Sequence, residues 1–367
     1  MKILISLSAA LIGGLLMSRL AKRLKLPAVT AYLVSGLLLG PFCIGALQIE
    51  GLGFTSMEAV EHLNMISQVA LGFIAFTIGN EFRVSQLKAM GRQAITVGIL
   101  QAVTATALVD AALILLHMIC PDVIPVSSAI TLGAIAAATA PAATLMVVRQ
   151  YKADGPMTRL LLMVVAIDDA VGLVLFSASF GVAMALESGT ISVVTVLVEP
   201  VVEIILSLLL GAAAGLALYW VEQFFHSRSK RLSISIGFVL LTAGLSMEEF
   251  EIGGIHCGFS LLLVCMMTGT LFCNICDFSE ELMARVDSWT APLFVLFFVL
   301  SGAELDLSVL RNPSVLLIGV IYTLVRSLGK YLGAYGSCAV TGCSESIKKY
   351  LGITLLPQAG VALGMAI

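Results

Sequence analysis

Two adjacent aspartates, Asp168 and Asp169, stand in the run VVAIDDAVGLVLF at residues 164–176, among neighbours that are otherwise apolar. A charged side chain at the centre of a bilayer costs at least about 2.5–3.5 kcal/mol on insertion scales, so two of them persist only with partners or a purpose. Consecutive residues of a helix diverge by about 100°. The two carboxylates therefore cannot share one face, and each is expected to have its own task. One can meet a cation in a wet cavity while the other faces a protein partner. The basic residue best placed as that partner is Lys330, in YTLVRSLGKYLGAYG at 322–336. Gly329 and Gly333 beside it point to close helix packing. A buried lysine–carboxylate pair can hold or release a proton near neutral pH, because burial and pairing act on it in opposite senses. Arg326, in the same stretch, is a poorer switch because a guanidinium stays charged. It is expected to anchor structure or to contact lipid.

Two prolines mark where oxygen ligands could be exposed. Ala140 and Pro141 interrupt AIAAATAPAATLMVV (134–148), and Pro357 and Gln358 interrupt YLGITLLPQAGVALGMAI (350–367). Proline inside a helical run removes a hydrogen bond and breaks or kinks the helix. The half-helices so formed carry about +0.5 charge at the N-terminus and −0.5 at the C-terminus. Two antiparallel broken helices would bring opposed ends together, partly cancelling and leaving carbonyls and hydroxyls unpaired. Thr139, beside the first break, can offer an oxygen, and hard cations prefer oxygen ligands. A carboxylate that takes either a proton or a small cation, never both, couples the two flows.

The elements that must position these groups are membrane spans. The chain of 367 residues is 59% hydrophobic and 12% charged, with a mean hydropathy of +1.05; soluble domains are about 25% charged. The net charge of −3 points to no nucleic-acid partner. Eight cysteines lie mostly in or beside apolar runs, and Cys273 and Cys276 read as packing residues. About twelve runs reach the length needed to span a bilayer, centred near Ala10, Gly36, Gly72, Val103, Ala137, Val171, Leu210, Val239, Cys265, Phe297, Ile321 and Thr354. Basic residues fall on alternate connections (19–25, 83–92, 149–159, 228–231 and 348–349). That places those loops in the cytoplasm and the N-terminus outside.

Two halves of the chain rhyme. YLVSGLLLGPF (32–42) resembles LVCMMTGTLFCN (263–274), and LGFIAFTIGNEFRVSQLKAMG (71–91) resembles LFVLFFVLSGAELDLSVLRNP (293–313). The proline-broken spans make a third match and run in opposite directions by the charge pattern, a signature of secondary transporters. The expected organisation is a first inverted repeat over 1–183 with the aspartates, a linker span over 184–230, and a second repeat over 231–367. The second repeat stops short, so about one further crossing, roughly a thirteenth, is expected. The fold class is thus an all-α polytopic membrane protein with inverted repeats and two discontinuous crossing helices.

The stretches AIDDAVGLVLF, ATAP, LGKYLGA and LPQAGVALG, with RLKLPAVTAYLVSGLLLGP near the N-terminus, resemble the monovalent cation:proton antiporters of bacteria, in the branch with paired aspartates. The resemblance implies a homodimer in the cytoplasmic (inner) membrane, each protomer divided into a dimerisation domain and a core. It implies Asp169 as the principal carboxylate for cation and proton, Asp168 as the partner of Lys330 in a pair that breaks when the ion binds, and Thr139 as the polar residue at the first break. It implies electrogenic exchange of protons for sodium, with lithium next, and no cofactor and no enzymatic chemistry. Two departures accompany it: the second break reads Pro357-Gln358 where many relatives carry a charge, and the sequence given ends at Ile367, where relatives have a last core helix. Two other readings stay open, potassium exchange or efflux on the same scaffold and a membrane sensor that transports nothing.

Overall fold

The apolar runs fold as helices, because in a long stretch without competing polar groups only intrahelical hydrogen bonds satisfy the backbone. The computed structural model describes residues 2–24, 26–49, 53–79, 83–188, 199–248, 250–252 and 255–358. The first half holds α1 (Lys2–Arg23), α2 (Ala28–Leu39), a short α3 (Met57–Glu61), α4 (Asn64–Gly79), α5 (Val84–Ile119), α6 (Val126–Ile135), α7 (Pro141–Gln150) and α8 (Pro156–Ser188). The second holds α9 (Glu199–Gln223), α10 (Arg228–Ser246), α11 (Leu261–Ile275), α12 (Ser279–Ala303), α13 (Pro313–Val340) and α14 (Glu345–Thr354). Among the described residues, six stretches are helical, long and apolar enough to cross a membrane: Leu4–Arg23, Ala28–Leu47, Gly91–Ile119, Val201–Gln223, Ser279–Ala303 and Pro313–Val340.

Every span centre read from the sequence falls on a helix except Ala137, which lies in the break between α6 and α7. The all-helical expectation meets one exception. The loop after α10 closes as an antiparallel hairpin, β1 (Phe250–Ile252) with β2 (Ile255–Cys257), in the register Phe250↔Cys257. Three residues per strand are too few to show a helical or an alternating period.

Helix ends follow their sequences. Pro141 and Pro313 sit at first-turn positions of α7 and α13, where the missing N–H is no loss. Asn312 caps α13 by accepting from Ser314 N at 3.1 Å. Gly342, at φ +70°, ends it.

Two sets of helices pack around the site. α5 lies along α13, with α6, α8 and α14 beside them. On the other side α2 packs on α12, and α4 on α11 and α12. Glycine sets those last distances. A Cβ at Gly36 of α2 would stand 1.9 Å from the Val299 carbonyl oxygen of α12, and one at Gly302 of α12 would stand 2.1 Å from that of Leu33. The α4–α11 pair repeats the arrangement: a Cβ at Gly269 would be 2.1 Å from Phe76 O, and one at Gly79 2.1 Å from Met266 O. α7 is held to the second set by Arg149, whose Nη2 lies 2.8 Å from Asp287 Oδ1 of α12, and by Gln150, whose Oε1 accepts from Ala28 N of α2 at 2.8 Å.

Candidate functional site

The site forms where the chain stops being helical. α6 ends at Ile135 and α7 starts at Pro141, and the segment between them, residues 136–140, is buried. The end of α6 tightens: Ala137 N donates to Ala134 O at 3.0 Å and Ala138 N to Ile135 O at 3.2 Å. That frees carbonyls at a C-terminal end, where the helix dipole is negative.

Side chains from α13 and from the second break take up those carbonyls. Arg326 donates from Nε to Ala136 O at 3.2 Å and from Nη2 to Ala138 O at 2.7 Å. Its Nη1 reaches Leu356 O, just past α14, at 2.7 Å. Lys330, four residues on and therefore on the same face, donates to Ala137 O. Gln358 Nε2 donates to Ile135 O at 2.9 Å and to the Tyr322 hydroxyl at 2.7 Å. The break between α6 and α7 also meets the stretch after α14 directly, since Ala140 N donates to Pro357 O at 2.9 Å. The expectation of unpaired carbonyls is thus corrected. Two C-terminal ends, of α6 and α14, converge on two cations, and a cationic fork satisfies them better than opposed dipoles would. The charge absent after Pro357 is supplied by Arg326, which is 4% exposed and so anchors structure rather than facing lipid.

Asp168 completes the arrangement from α8. Its Oδ2 accepts from Lys330 Nζ at 2.9 Å and from the Thr139 hydroxyl, and its Oδ1 accepts from Gln101 Nε2. Lys330 also donates to Thr139 Oγ1 at 3.0 Å. Asp168, Lys330, Thr139 and Gln101 are all fully buried. The close packing read from Gly329 and Gly333 is present: a Cβ at Gly329 would lie 2.8 Å from Ala105 Cα, and one at Gly333 2.7 Å from Gln101 Cα. This approach of α13 to α5 lets Lys330 and Gln101 hold one carboxylate from two helices. A carboxylate stripped of water is tolerable only when paired and hydrogen bonded, and Asp168 is both.

Of the residues singled out in the sequence, Asp168, Thr139, Lys330, Ala140, Pro141, Pro357 and Gln358 come together. Asp169 follows in α8, and its side chain lies outside the described residues, as does the chain beyond Gln358. Gln101 was missed. Its signal was an uncharged amide inside the apolar run GILQAVTATALV, weaker than a charge in such a place.

A family model described as sodium/hydrogen exchanger, transmembrane, matches residues 7–367. The chain is 27% identical over 363 residues to Na(+)/H(+) antiporter 1 of Methanocaldococcus jannaschii, a match covering 97% of this chain and 80% of that protein. It is 24% identical over 398 residues to the high-affinity Na(+)/H(+) antiporter NhaS3 of Synechocystis sp., covering 99% and 82%. Among solved structures, the sodium proton antiporter MjNhaP1 from Methanocaldococcus jannaschii at pH 8 superposes with a TM-score of 0.72 at 21% identity, over 100% of this chain and 86% of that one. An electron-microscopy structure of the same antiporter gives 0.77 at 20% identity, over 98% and 83%. At such identities the likeness shows the fold.

Proposed function

The chain belongs to the sodium/hydrogen exchanger family, and on that premise we propose that it exchanges sodium for protons across a bacterial cytoplasmic membrane by alternating access. The observation that carries the reading is Asp168, bound by Lys330, Thr139 and Gln101 beside the break between α6 and α7. Asp169 is the principal carboxylate, taking a proton or a sodium ion. Asp168 is its partner group, released from Lys330 when the cation arrives, and Thr139 offers a hydroxyl oxygen. A cation that displaces Lys330 removes the carboxylate that stabilises its ammonium, so the lysine gives up a proton along with Asp169. More protons than cations then move, which makes exchange electrogenic. Lithium, also a small hard cation, is a second substrate.

The inverted repeat is supported by the glycine contacts. With Gly36 matched to Gly269 and Gly79 to Gly302, as the two stretches align in sequence, the α2–α12 contacts map onto the α11–α4 contacts, carbonyl for carbonyl. A pseudo-two-fold axis would produce that. It also gives the motion a form: the set holding α5, α8 and α13 moves against the set holding α2, α4, α11 and α12, carrying the site between the two aqueous faces. The protomers pair as homodimers, with the N-terminus outside.

The test is a proteoliposome assay. Vesicles holding the purified protein and a pH gradient receive sodium, lithium or choline chloride. Sodium and lithium are expected to collapse the gradient, choline is not, and Asp169→Asn abolishes the response. A wild-type protein indifferent to sodium, or an Asp169→Asn variant with full activity, would overturn the reading.

A further inference from the structure

Gln101 has one half of its amide satisfied and the other half bare. Nε2 uses both hydrogens, one on Gly98 O at 3.0 Å and one on Asp168 Oδ1. Oε1 is buried with no hydrogen-bond partner, on a side chain with no exposure. The orientation is fixed by the neighbours, since turning the amide over would set an acceptor against two acceptors. Buried polar atoms without partners are rare, and each asks for an explanation such as an ion. The neighbouring buried positions Val97, Ala102 and Ala105 show that apolar residues serve on this part of α5.

We propose that Gln101 is a further cation ligand, its amide carbonyl binding the transported cation beside Asp168. The inference rests on the exchange proposed above and names a further ligand for it. Oε1 is one amide away from the nitrogen that touches the carboxylate, so a cation on Asp168 Oδ1 lies within its reach. Hard cations replace lost water with carboxylate, hydroxyl and carbonyl oxygens, and Asp168, Thr139 and Gln101 supply one of each. The terminal amide torsion of glutamine is broad and roughly two-fold. A half-turn therefore exchanges N–H for C=O at the carboxylate. With Lys330 in place the amide donates to Asp168; with a cation in place it presents Oε1. One neutral side chain thereby serves both states, as a donor while Lys330 holds Asp168 and as an oxygen ligand when the cation does.

The experiment is sodium binding to the purified full-length chain in detergent, by titration calorimetry against choline chloride. Gln101→Met, similar in size and lacking both amide groups, is expected to weaken sodium binding about tenfold, the worth of one good polar contact. Should the Met variant not fold, Gln101→Asn, with the same amide on a shorter arm, gives the same direction of loss. Wild-type affinity in Gln101→Met or Gln101→Asn would overturn the assignment. A wild-type protein that binds sodium with this variant pattern yet moves no protons in vesicles sinks the exchange reading and leaves the ligand standing. Vesicle exchange with an unchanged sodium half-saturation in Gln101→Met sinks the ligand and leaves exchange standing. Absence of any sodium binding by the wild type sinks the ligand assignment as well.

Discussion

Lys330 Nζ and Asp168 Oδ2 stand 2.9 Å apart, both side chains without solvent exposure, on helices separated by most of the second half of the chain. The pair shares Thr139, whose hydroxyl donates to Asp168 while accepting from Lys330. A buried ion pair adds little by itself compared with an apolar replacement, but breaking it from one side is expensive. That asymmetry makes the pair testable.

Lys330→Ala leaves Asp168 buried beside Gln101 and Thr139 alone, and is expected to destabilise the detergent-solubilised protein by about 3–5 kcal/mol. Adding Asp168→Asn to the same chain removes the stranded charge and recovers a large part of that loss. Thermal unfolding of the wild type, both single variants and the double variant closes the cycle. Additive losses in the double variant would show that the two side chains are not coupled.

Arg326 serves three carbonyls, those of Ala136 and Ala138 between α6 and α7 and that of Leu356 just past α14. Arg326→Met strands them in a dry site, and hydrogen bonds to charged groups contribute about 1.5–3 kcal/mol each. A loss of at least about 3 kcal/mol follows. Arg326→Lys keeps the charge and loses the fork, so it should fall between the two. If Arg326→Lys matches wild type in thermal midpoint, charge alone holds the crossing and the fork is dispensable.

The tie between Arg149 and Asp287 is of another kind, with side chains 28% and 34% exposed. Pairs of that exposure contribute about 1 kcal/mol or less and are screened by salt. Charge exchange, Arg149→Asp with Asp287→Arg, should restore whatever either single change removes, and the restoration should shrink as salt rises. A single variant that collapses the protein at high salt would mean these residues do more than hold α7 to α12.

What the sequence disclosed tracks the energetic expense of each residue. Asp168 and Lys330 were legible because a charge in an apolar run requires a partner, and Thr139 because it abuts a proline break. The close approach of α13 to α5 was legible in Gly329 and Gly333. Gln101 was not, because a neutral amide is cheap enough to occur for many reasons. Arg326 was visible, but its direction was not: a long flexible side chain reaches a lipid interface or a buried carbonyl from the same position. The hairpin at Phe250–Ile252 and Ile255–Cys257 was missed for want of length. The hydrogen bond between Ala140 and Pro357 joins residues far apart in sequence, which no local pattern encodes.

The matched glycines give the last prediction. Gly36 and Gly269 each face a backbone carbonyl so closely that a Cβ would stand 1.9 Å and 2.1 Å from it. The obstacle is main chain on a packed helix, so relief requires a helix to shift rather than a side chain to turn. Overpacking of that sort costs about 1–3 kcal/mol. Gly36→Ala and Gly269→Ala are therefore expected to lower the thermal midpoint by similar amounts, as the proposed pseudo-two-fold relation of the α2–α12 and α11–α4 contacts requires. Gly319, within α13 and with nothing inside 4 Å of a Cβ, is the control. Gly319→Ala should leave stability unchanged or raise it by about 0.5–1 kcal/mol through helix propensity. A tolerated Gly269→Ala beside a damaging Gly36→Ala would show that the two contacts are not equivalent, and the pseudo-two-fold relation would lose its support.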